Sequence, residues 1–302
     1  MDDSIRNKKL AVIGFPFDEN SSYRKGASSA PPLIREAFHC YSSNTWSESG
    51  IDIGAESVLF DVGDVDFSVV SDPFDKIEKA VTKLLDQNFF LISLGGDHSI
   101  TYPIMKAFDK KYPQLSILHF DAHPDLYDEL NGNRYSHACP FARIMETCQI
   151  QRLVQVGIRT LNKHQREQVE RFSVEIIVMK DLAEDFKLIF DTPIYISFDI
   201  DVLDPAFAPG VSHYEPGGMS TRQMIDIIQK VQATAIIGAD IVEFNPRRDP
   251  SGITAMVCAK IFISFTKKLC FVTGRVIPVV SLSLIHISEP TRPLYISYAV
   301  FC

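Results

Sequence analysis

The sequence predicts a three-layer α/β/α domain in which helices cover both faces of a parallel β-sheet. Short apolar runs rich in β-branched residues alternate with stretches of helical periodicity along most of the chain, and this alternation is typical of α/β folds. The runs are almost continuous in Val, Ile and Leu, which predicts strands buried on both faces, as in a parallel sheet. Because no repeat or linker interrupts the pattern, we expect one domain over residues 1–268.

Eight strands and six helices follow from these patterns. The strands are predicted at residues 10–15, 58–62, 89–94, 115–120, 153–158, 174–178, 194–198 and 235–242. The helices are predicted at residues 31–40, 73–87, 101–111, 163–172, 221–231 and 253–268. Two helices have clear start signals, because Asp72 precedes Pro73 and Ser220 precedes Thr221. Residues 269–302 have neither period and are predicted to form an atypical tail, since residues 283–293 resemble translated sequencing-adapter sequence.

Composition and charge exclude several classes of protein. The 302 residues include 30 Lys and Arg against 38 Asp and Glu, a net charge of −8 without any basic run, which argues against a nucleic-acid partner. Six scattered cysteines without a C-x-x-C pair predict neither a zinc knuckle nor a disulfide framework. The N-terminus has no signal or transit pattern, and Arg275 and Pro278 interrupt the apolar residues 269–288. We therefore expect a soluble, cytoplasmic protein with no membrane partner.

Polar motifs follow four of the predicted strands. The third strand ends in GGDHS at residues 95–99 and the fourth in DAHPD at residues 121–125. The seventh ends in DIDVLDP at residues 199–205 and the eighth in EFNP at residues 243–246. Because ligands of open α/β sheets bind outside the carboxyl ends of the strands, these motifs predict a functional site there.

The spacing within these motifs predicts a two-metal site. Alternate side chains of an extended segment lie on one face, and the side chains brought together are His98, His123, Asp121, Asp125, Asp199 and Asp201. Four crowded carboxylates repel one another unless cations are present, and two divalent ions balance their charge and activate water near neutral pH. Oxygen-rich ligation with a minority of imidazole and no thiolate favours manganese.

The motifs at residues 95–99, 121–125 and 199–205 resemble the three signatures of the ureohydrolase family, which contains arginases, agmatinases, guanidinobutyrases and formiminoglutamases. The similarity extends from about Ala11 to Lys260 and is strongest to plant-type arginases, through residues 121–128, 135–138, 141–146 and 204–213. The resemblance implies an arginase-like fold with a parallel eight-stranded sheet, two Mn²⁺ ions per subunit and hydrolysis of a guanidinium group to urea and an amine. It also implies a homotrimer or homohexamer, and it leaves a mitochondrial location as the alternative to the cytoplasm.

The resemblance also implies roles for individual residues. One ion is expected to be bound by His98, Asp121, Asp125 and Asp199, and the other by Asp121, His123, Asp199 and Asp201. Glu243 matches the carboxylate that faces the guanidinium, where an anion makes bidentate hydrogen bonds to a planar cation. His137 matches a histidine that shuttles protons, a task that suits an imidazole. Asp125 is the alternative group expected to protonate the departing amine.

Several neighbouring residues are interpreted as supporting groups. We expect His119 to be a hydrogen-bonded core or supporting histidine rather than a ligand, and Asp97 and Asp204 to stabilise turns or ligands. His213 is expected either at the pocket rim or in an ordinary loop. Cys139 is not assigned as a nucleophile, because the metal site already supplies one.

The loop at residues 126–136 and the segment after residue 159 are expected to select the guanidino compound. Leu126 and Tyr127 stand where animal-type arginases place an Asn for the substrate carboxylate. The residues predicted to bind the substrate tail are Asn131, Asn133 and Ser136 for a carboxylate and Asp128 or Glu129 for an ammonium. We favour hydrolysis of L-arginine to L-ornithine and urea. The alternatives are hydrolysis of agmatine to putrescine and urea, or of another guanidino acid.

Two further classes of function remain open. A related metal amidohydrolase that acts on acetylated lysines or polyamines typically needs one metal, and the pair Asp199 and Asp201, together with Glu243, argues against it. The other class is a non-catalytic binding or regulatory protein that keeps the fold. Metal content distinguishes the amidohydrolase from a two-metal enzyme, and turnover excludes the non-catalytic protein.

Overall fold

The computed structural model describes residues 9–54, 59–183 and 186–270, with the side chain of Cys270 excluded. The strands in this part are β1 (Lys9–Phe15), β2 (Leu59–Asp64), β3 (Phe89–Gly95), β4 (Ser116–Phe120), β5 (Arg152–Ile158), β6 (Glu175–Val178), β7 (Pro193–Asp199) and β8 (Ala235–Val242). The helices are α1 (Ala30–His39), α2 (Pro73–Asp86), α3 (Thr101–Lys111), α4 (Pro140–Thr147), α5 (Lys163–Phe172), α6 (Thr221–Lys230) and α7 (Ile253–Cys270).

The strands form one parallel sheet in the order β2-β1-β3-β8-β7-β4-β5-β6. Its four central strands, β3, β8, β7 and β4, are neighbours, and they are the four strands whose carboxyl ends have the polar motifs. Residues far apart along the chain therefore meet at one edge of the sheet, as expected for an open α/β sheet.

The helices form two packed groups around the sheet. Helices α1, α6 and α7 pack together and against β1 and β8, and helices α2, α3 and α4 pack together with contacts to β3. The central strands are buried except at the first residue of β3 and of β7, which is half-buried, whereas β2 at the sheet edge is largely exposed. The predicted α/β fold with a parallel eight-stranded sheet flanked by helices is confirmed.

The predicted elements differ from the structure in a few places. All eight predicted strands are present, with β2 shifted to Leu59–Asp64 and Val58 outside the described residues. Helix α4 was not predicted, because its eight residues (Pro140–Thr147) are too few to show a helical period. The predicted tail lies outside the described residues beyond 270, so it and the domain boundary at residue 268 stay predictions. In the described part, no helix has the length and apolar character needed to span a membrane.

Candidate active site

The segment that follows β3 is built to bring His98 to the edge of the sheet. A Cβ atom on Gly96 would lie 1.8 Å from the carbonyl oxygen of Phe17, so only glycine fits there. Asp97 then caps a 3₁₀ turn (His98–Ile100) by accepting a hydrogen bond from the backbone N–H of Ser99 at 3.0 Å. The sequence therefore fixes the direction in which the chain enters α3 and buries the imidazole of His98.

Three carboxylates surround the Nδ1 atom of His98. This atom lies 3.0 Å from Oδ2 of Asp125, 3.3 Å from Oδ2 of Asp199 and 3.4 Å from Oδ2 of Asp121. It is completely buried and yet has no well-oriented hydrogen bond. These four side chains form one group that could hold a metal ion. A buried nitrogen without a well-oriented hydrogen bond, facing three carboxylate oxygens, is an arrangement that suits a bound cation.

A second group lies beside the first and shares Asp121. The Nδ1 atom of His123 is 3.1 Å from Oδ2 of Asp201 and 3.4 Å from Oδ1 of Asp121. Because Asp121 points one oxygen towards each histidine, its carboxylate belongs to both groups. Asp199 lies within the first group only, and its other oxygen accepts the backbone N–H of Asp201 at 2.8 Å. Its predicted role as a second bridge stays a prediction.

The pKa shifts in both groups follow from crowded charge. Burial and the neighbouring carboxylates raise the pKa of Asp199 well above its ordinary value and that of Asp201 to about 6. Burial opposes the charged forms of His98 and His123, but the facing carboxylates outweigh it and raise the pKa of both rings. Mutual repulsion among these carboxylates is what divalent cations relieve. The donor set, oxygen with a minority of imidazole, fits hard or borderline divalent ions.

His119 and Gln155 orient Asp121, and His119 also forms a third group that could hold a metal ion, together with His98 and Asp121. His119 lies 2.9 Å from Oδ2 of Asp121 through its Nε2 atom. The amide of Gln155 donates to Nδ1 of the same ring at 3.0 Å and to the carbonyl oxygen of Pro124 at 2.7 Å. Because Gln155 donates to Nδ1, the ring proton is on Nε2 and is given to Asp121. Both ring nitrogens of His119 are thus hydrogen-bonded, and its role as a supporting residue rather than a ligand stays a prediction. Gln155 gave no signal in the sequence.

Glu243 contacts both His98, in the first His/Asp group, and His137. The last residue of β8 is Val242, and Glu243 follows with a left-handed φ of 64°, which turns its side chain into the site. Its Oε1 atom accepts the backbone N–H of His98 and faces Nδ1 of His137, each at 2.8 Å. Burial raises the pKa of Glu243, but His137 and the His98 N–H outweigh burial and lower it.

His137 is held on both sides of its ring. Its Nε2 atom is 2.8 Å from the hydroxyl of Ser22, and its backbone N–H donates to the carbonyl oxygen of Asn20 at 3.1 Å. Burial lowers the pKa of His137, whereas the charges of Glu243 and Asp125 raise it, to about 9 in balance. The imidazole is therefore a proton donor at neutral pH. Ser22 gave no signal in the sequence, because its contact joins residues 115 positions apart.

These side chains line one cavity of about 360 Å³. Its inner part is acidic, and its outer part is lined by uncharged groups, among them Ser22, Tyr127, Leu130, Thr160, Asn162 and Gln165. His213 lines the cavity as well, with its ring centre 5.3 Å from that of His137. No Lys or Arg is among the lining residues that the structure describes. The cavity therefore suits a cationic group at its inner end and a polar group at its mouth.

None of the predicted tail-binding residues, Asn131, Asn133, Ser136, Asp128 and Glu129, lines this cavity. Asn131 lies in a tight turn with φ of 52°, and Asn133 donates its amide to Asn20 at 3.1 Å. Asp128 accepts from Arg143 at 2.8 Å and also pairs with Arg134. Ser136 is buried and accepts from the N–H of Ala138 at 3.4 Å. These contacts hold the loop together, and the role of the five residues towards substrate stays a prediction.

The remaining sequence interpretations concern supporting groups. Asp97 accepts the backbone N–H of Asn20 at 2.9 Å, and Asp204 accepts those of Ala206 and Gly217 at 2.9 and 2.7 Å. Both therefore stabilise loops. Burial raises the pKa of the Cys139 thiol to about 12, so the thiol is protonated at neutral pH and is a poor nucleophile.

Comparison with known proteins agrees with this geometry. Residues 8–267 match the model of the Arginase family. The chain is 45% identical over 276 residues to "Arginase 1, mitochondrial" of Arabidopsis thaliana, covering 86% of this chain and 80% of that protein. It is 35% identical to the agmatinase of Bacillus cereus, covering 85% and 90%. Among solved structures, the arginase from Medicago truncatula superposes with a TM-score of 0.82 at 41% identity, covering 87% of this chain and 88% of that chain.

Proposed function

The chain belongs to the arginase family, and from this premise we propose that it hydrolyses the guanidinium group of L-arginine to urea and L-ornithine. The observation that supports this most is the combination of two His/Asp groups, Glu243 and His137 in one cavity. The identity of 42–45% to several plant arginases, against 35% to an agmatinase, favours arginine over agmatine.

Two Mn²⁺ ions per subunit are the proposed cofactor. The first would be held by His98, Asp121, Asp125 and Asp199, and the second by Asp121, His123, Asp201 and, as the sequence predicts, Asp199. The unpartnered Nδ1 atom of His98 and the crowded carboxylates fit this assignment. When bound, such a pair of ions activates water as a nucleophile near neutral pH.

Glu243 is proposed to orient the guanidinium. Its carboxylate is buried at the inner end of the cavity, and the His98 N–H and His137 help to keep it ionised. A carboxylate facing a planar guanidinium makes directed, charge-assisted hydrogen bonds. Such contacts hold the central carbon in one position relative to the metal groups, which lowers the entropic part of the barrier.

His137 is proposed to supply the proton that the departing amine needs. The ring is protonated at neutral pH, because its pKa is raised to about 9. Its Nε2 atom lies beside the hydroxyl of Ser22, and both side chains line the cavity that would hold the departing amine. Asp125 is the alternative donor predicted from the sequence, and it lines the same cavity.

The uncharged mouth of the cavity is proposed to hold the amino-acid end of the substrate. The hydroxyl of Tyr127 accepts from the Asn162 amide at 2.6 Å, and Thr160 lies beside them. Hydroxyl and amide groups can donate to a carboxylate or accept from an ammonium. The loop residues predicted from the sequence, Asn131, Asn133, Ser136 and Asp128, remain alternative tail contacts.

Urea release by the manganese-loaded protein tests the proposal. L-arginine, agmatine and 4-guanidinobutyrate are supplied in parallel, and bound manganese is measured in the same samples. The matched control is Asp226→Asn, a change of an exposed carboxylate on α6 that we expect to leave the rate unchanged. Turnover of arginine above the other two is the expected result. A preference for agmatine would make agmatine, not arginine, the substrate. If two ions are bound and none of the three compounds releases urea, ureohydrolase activity is refuted.

Assembly and location complete the proposal. The resemblance implies a homotrimer or homohexamer, and light scattering on the purified protein distinguishes these from a monomer of 34.0 kDa. Cytoplasmic location is the prediction from the sequence, whereas the relatives from Arabidopsis thaliana and Medicago truncatula are mitochondrial by name. Cell fractionation with an antibody to the protein decides between the two compartments.

A further inference from the structure

A buried carboxylate outside the cavity, Asp240, has no part in the mechanism above. It lies in the middle of β8, paired in register with Ser197 of β7 and Ser93 of β3, and none of its surface is exposed. A carboxylate inside a sheet core is costly unless hydrogen bonds compensate for the lost water. Such a residue calls for a physical explanation.

Four donors surround Asp240, and all of them are neutral groups. Its Oδ1 atom accepts from the hydroxyl of Ser197 at 2.8 Å and from the backbone N–H of Phe198 at 3.1 Å. Its Oδ2 atom accepts from the hydroxyls of Thr101 at 2.8 Å and Tyr195 at 3.0 Å. Burial and the charge of Asp240 raise the pKa of Tyr195 well above its ordinary value, so the phenol keeps the proton that it donates.

The direction of these hydrogen bonds continues to the metal site. A serine hydroxyl has one proton, and Ser197 gives it to Asp240. Its oxygen can then only accept from Nε2 of His98, which lies 3.0 Å away. The Nε2 atom is thus protonated, so in the neutral ring, the form that binds a metal ion, the lone pair is on Nδ1 and faces the oxygens of Asp121, Asp125 and Asp199.

Asp240 holds His98 through the backbone as well. Thr101 is the first residue of α3 and follows the 3₁₀ turn that begins with His98. The hydrogen bond from its hydroxyl to Oδ2 therefore anchors the chain three residues beyond the ligand. The Asp240 carboxylate therefore fixes the start of α3 through Thr101 and the orientation of the His98 imidazole through Ser197.

We propose that Asp240 is a positioning residue which, through Ser197, holds His98 with the Nδ1 lone pair directed at the first metal group. The inference rests on the metal site of the proposed function and adds residues that touch neither substrate nor metal. Groups that orient metal-binding histidines in this way typically contribute about 10- to 100-fold to metal affinity. This relay, the hydrogen-bond chain from Asp240 through Ser197 to His98, ends at one histidine only. Its loss should therefore weaken the binding of one of the two ions.

Titration of Mn²⁺ into the metal-free protein tests this, with free Mn²⁺ followed by electron paramagnetic resonance. In Ser197→Ala, we expect one of two binding steps to weaken by about 10- to 100-fold and the other to stay within threefold. The matched control is Tyr195→Phe, which also removes one hydrogen bond from Asp240 but leaves the Ser197–His98 contact in place. It should bind both ions within threefold of wild type.

Asp240→Asn separates hydrogen-bond direction from charge. The amide oxygen of the Asn can accept from Ser197 and from the Phe198 N–H. Its NH₂ group can donate to the hydroxyls of Thr101 and Tyr195 once these have rotated to accept, so near-normal Mn²⁺ affinity is expected. Unchanged affinities in Ser197→Ala, equal losses in Tyr195→Phe, or a large loss in Asp240→Asn would each overturn the relay. The titration needs no turnover. A protein that binds two ions but releases no urea would refute the proposed function and leave the relay to be judged by its own result.

Discussion

Replacing Glu243 with Gln should remove most of the activity while leaving the metals bound. The substitution keeps the shape of the side chain and removes its charge, and Glu243 belongs to neither His/Asp group. Two unit charges about 4 Å apart interact by about 4 kcal/mol at an effective dielectric constant near 20. A neutral hydrogen bond is roughly half as strong as a charge-assisted one, so the variant should lose about 2 kcal/mol. That loss corresponds to a decrease in kcat/KM of about 30-fold.

Initial rates of urea release over a range of L-arginine concentrations measure this loss, and metal analysis of the same samples measures bound manganese. Glu170→Gln, the same change at an exposed position of α5, is the matched control and should behave like wild type. Glu243 also raises the pKa of His137, so the fall in rate at high pH should move to lower pH in Glu243→Gln. Wild-type kcat/KM, or the loss of manganese from the variant, would refute the role given to Glu243.

Three further predictions concern other parts of the molecule. Asp121→Ala should lose both metal ions and nearly all activity, because its carboxylate faces both histidines; two ions per chain in the purified variant would contradict this. The pKa of His137 is raised to about 9, so kcat should fall as the pH rises through about 9, and His137→Asn should lower kcat about 100-fold or more and abolish this fall. Hydrogen bonds from Arg222 and Gln229 lower the pKa of Glu48 to about 2. The stability that they add is therefore present above about pH 4.5 and is lost as the pH falls towards 2. Glu48→Gln should cost about 0.5 kcal/mol at pH 7, as for exposed pairs, and less at pH 3, and urea unfolding at both values checks the difference.

The strands and the metal motifs could be predicted because their signals are local. Continuous apolar runs identified all eight strands, and the spacing within the motif at residues 121–125 predicted metal ligands. Helix α4 was missed because its eight residues make only two turns and its N-cap, Cys139, makes no side-chain hydrogen bond. Local pattern is informative only where an element is long or chemically distinctive.

The order of the strands and the loop contacts depend on distant residues. Nothing in the sequence states that β8 inserts between β3 and β7, although this insertion brings Glu243 beside His98. The loop that follows β4 was expected to turn Asp128 towards substrate, but Arg143, on the unpredicted helix α4, binds this carboxylate. The contact between Arg143 and Asp128 therefore could not be foreseen without helix α4, and the role of Asp128 towards substrate stays a prediction.

The left-handed backbone at Asp125 and Glu243, with φ of 48° and 64°, has a consequence for how this protein tolerates change. Side chains other than glycine cost about 1–3 kcal/mol in such conformations, a large fraction of the 5–15 kcal/mol that a domain has in total. Substitution by glycine would relieve this strain and abolish the carboxylate. Selection for stability alone would thus erode the site, and these two positions mark where selection for activity must outweigh it.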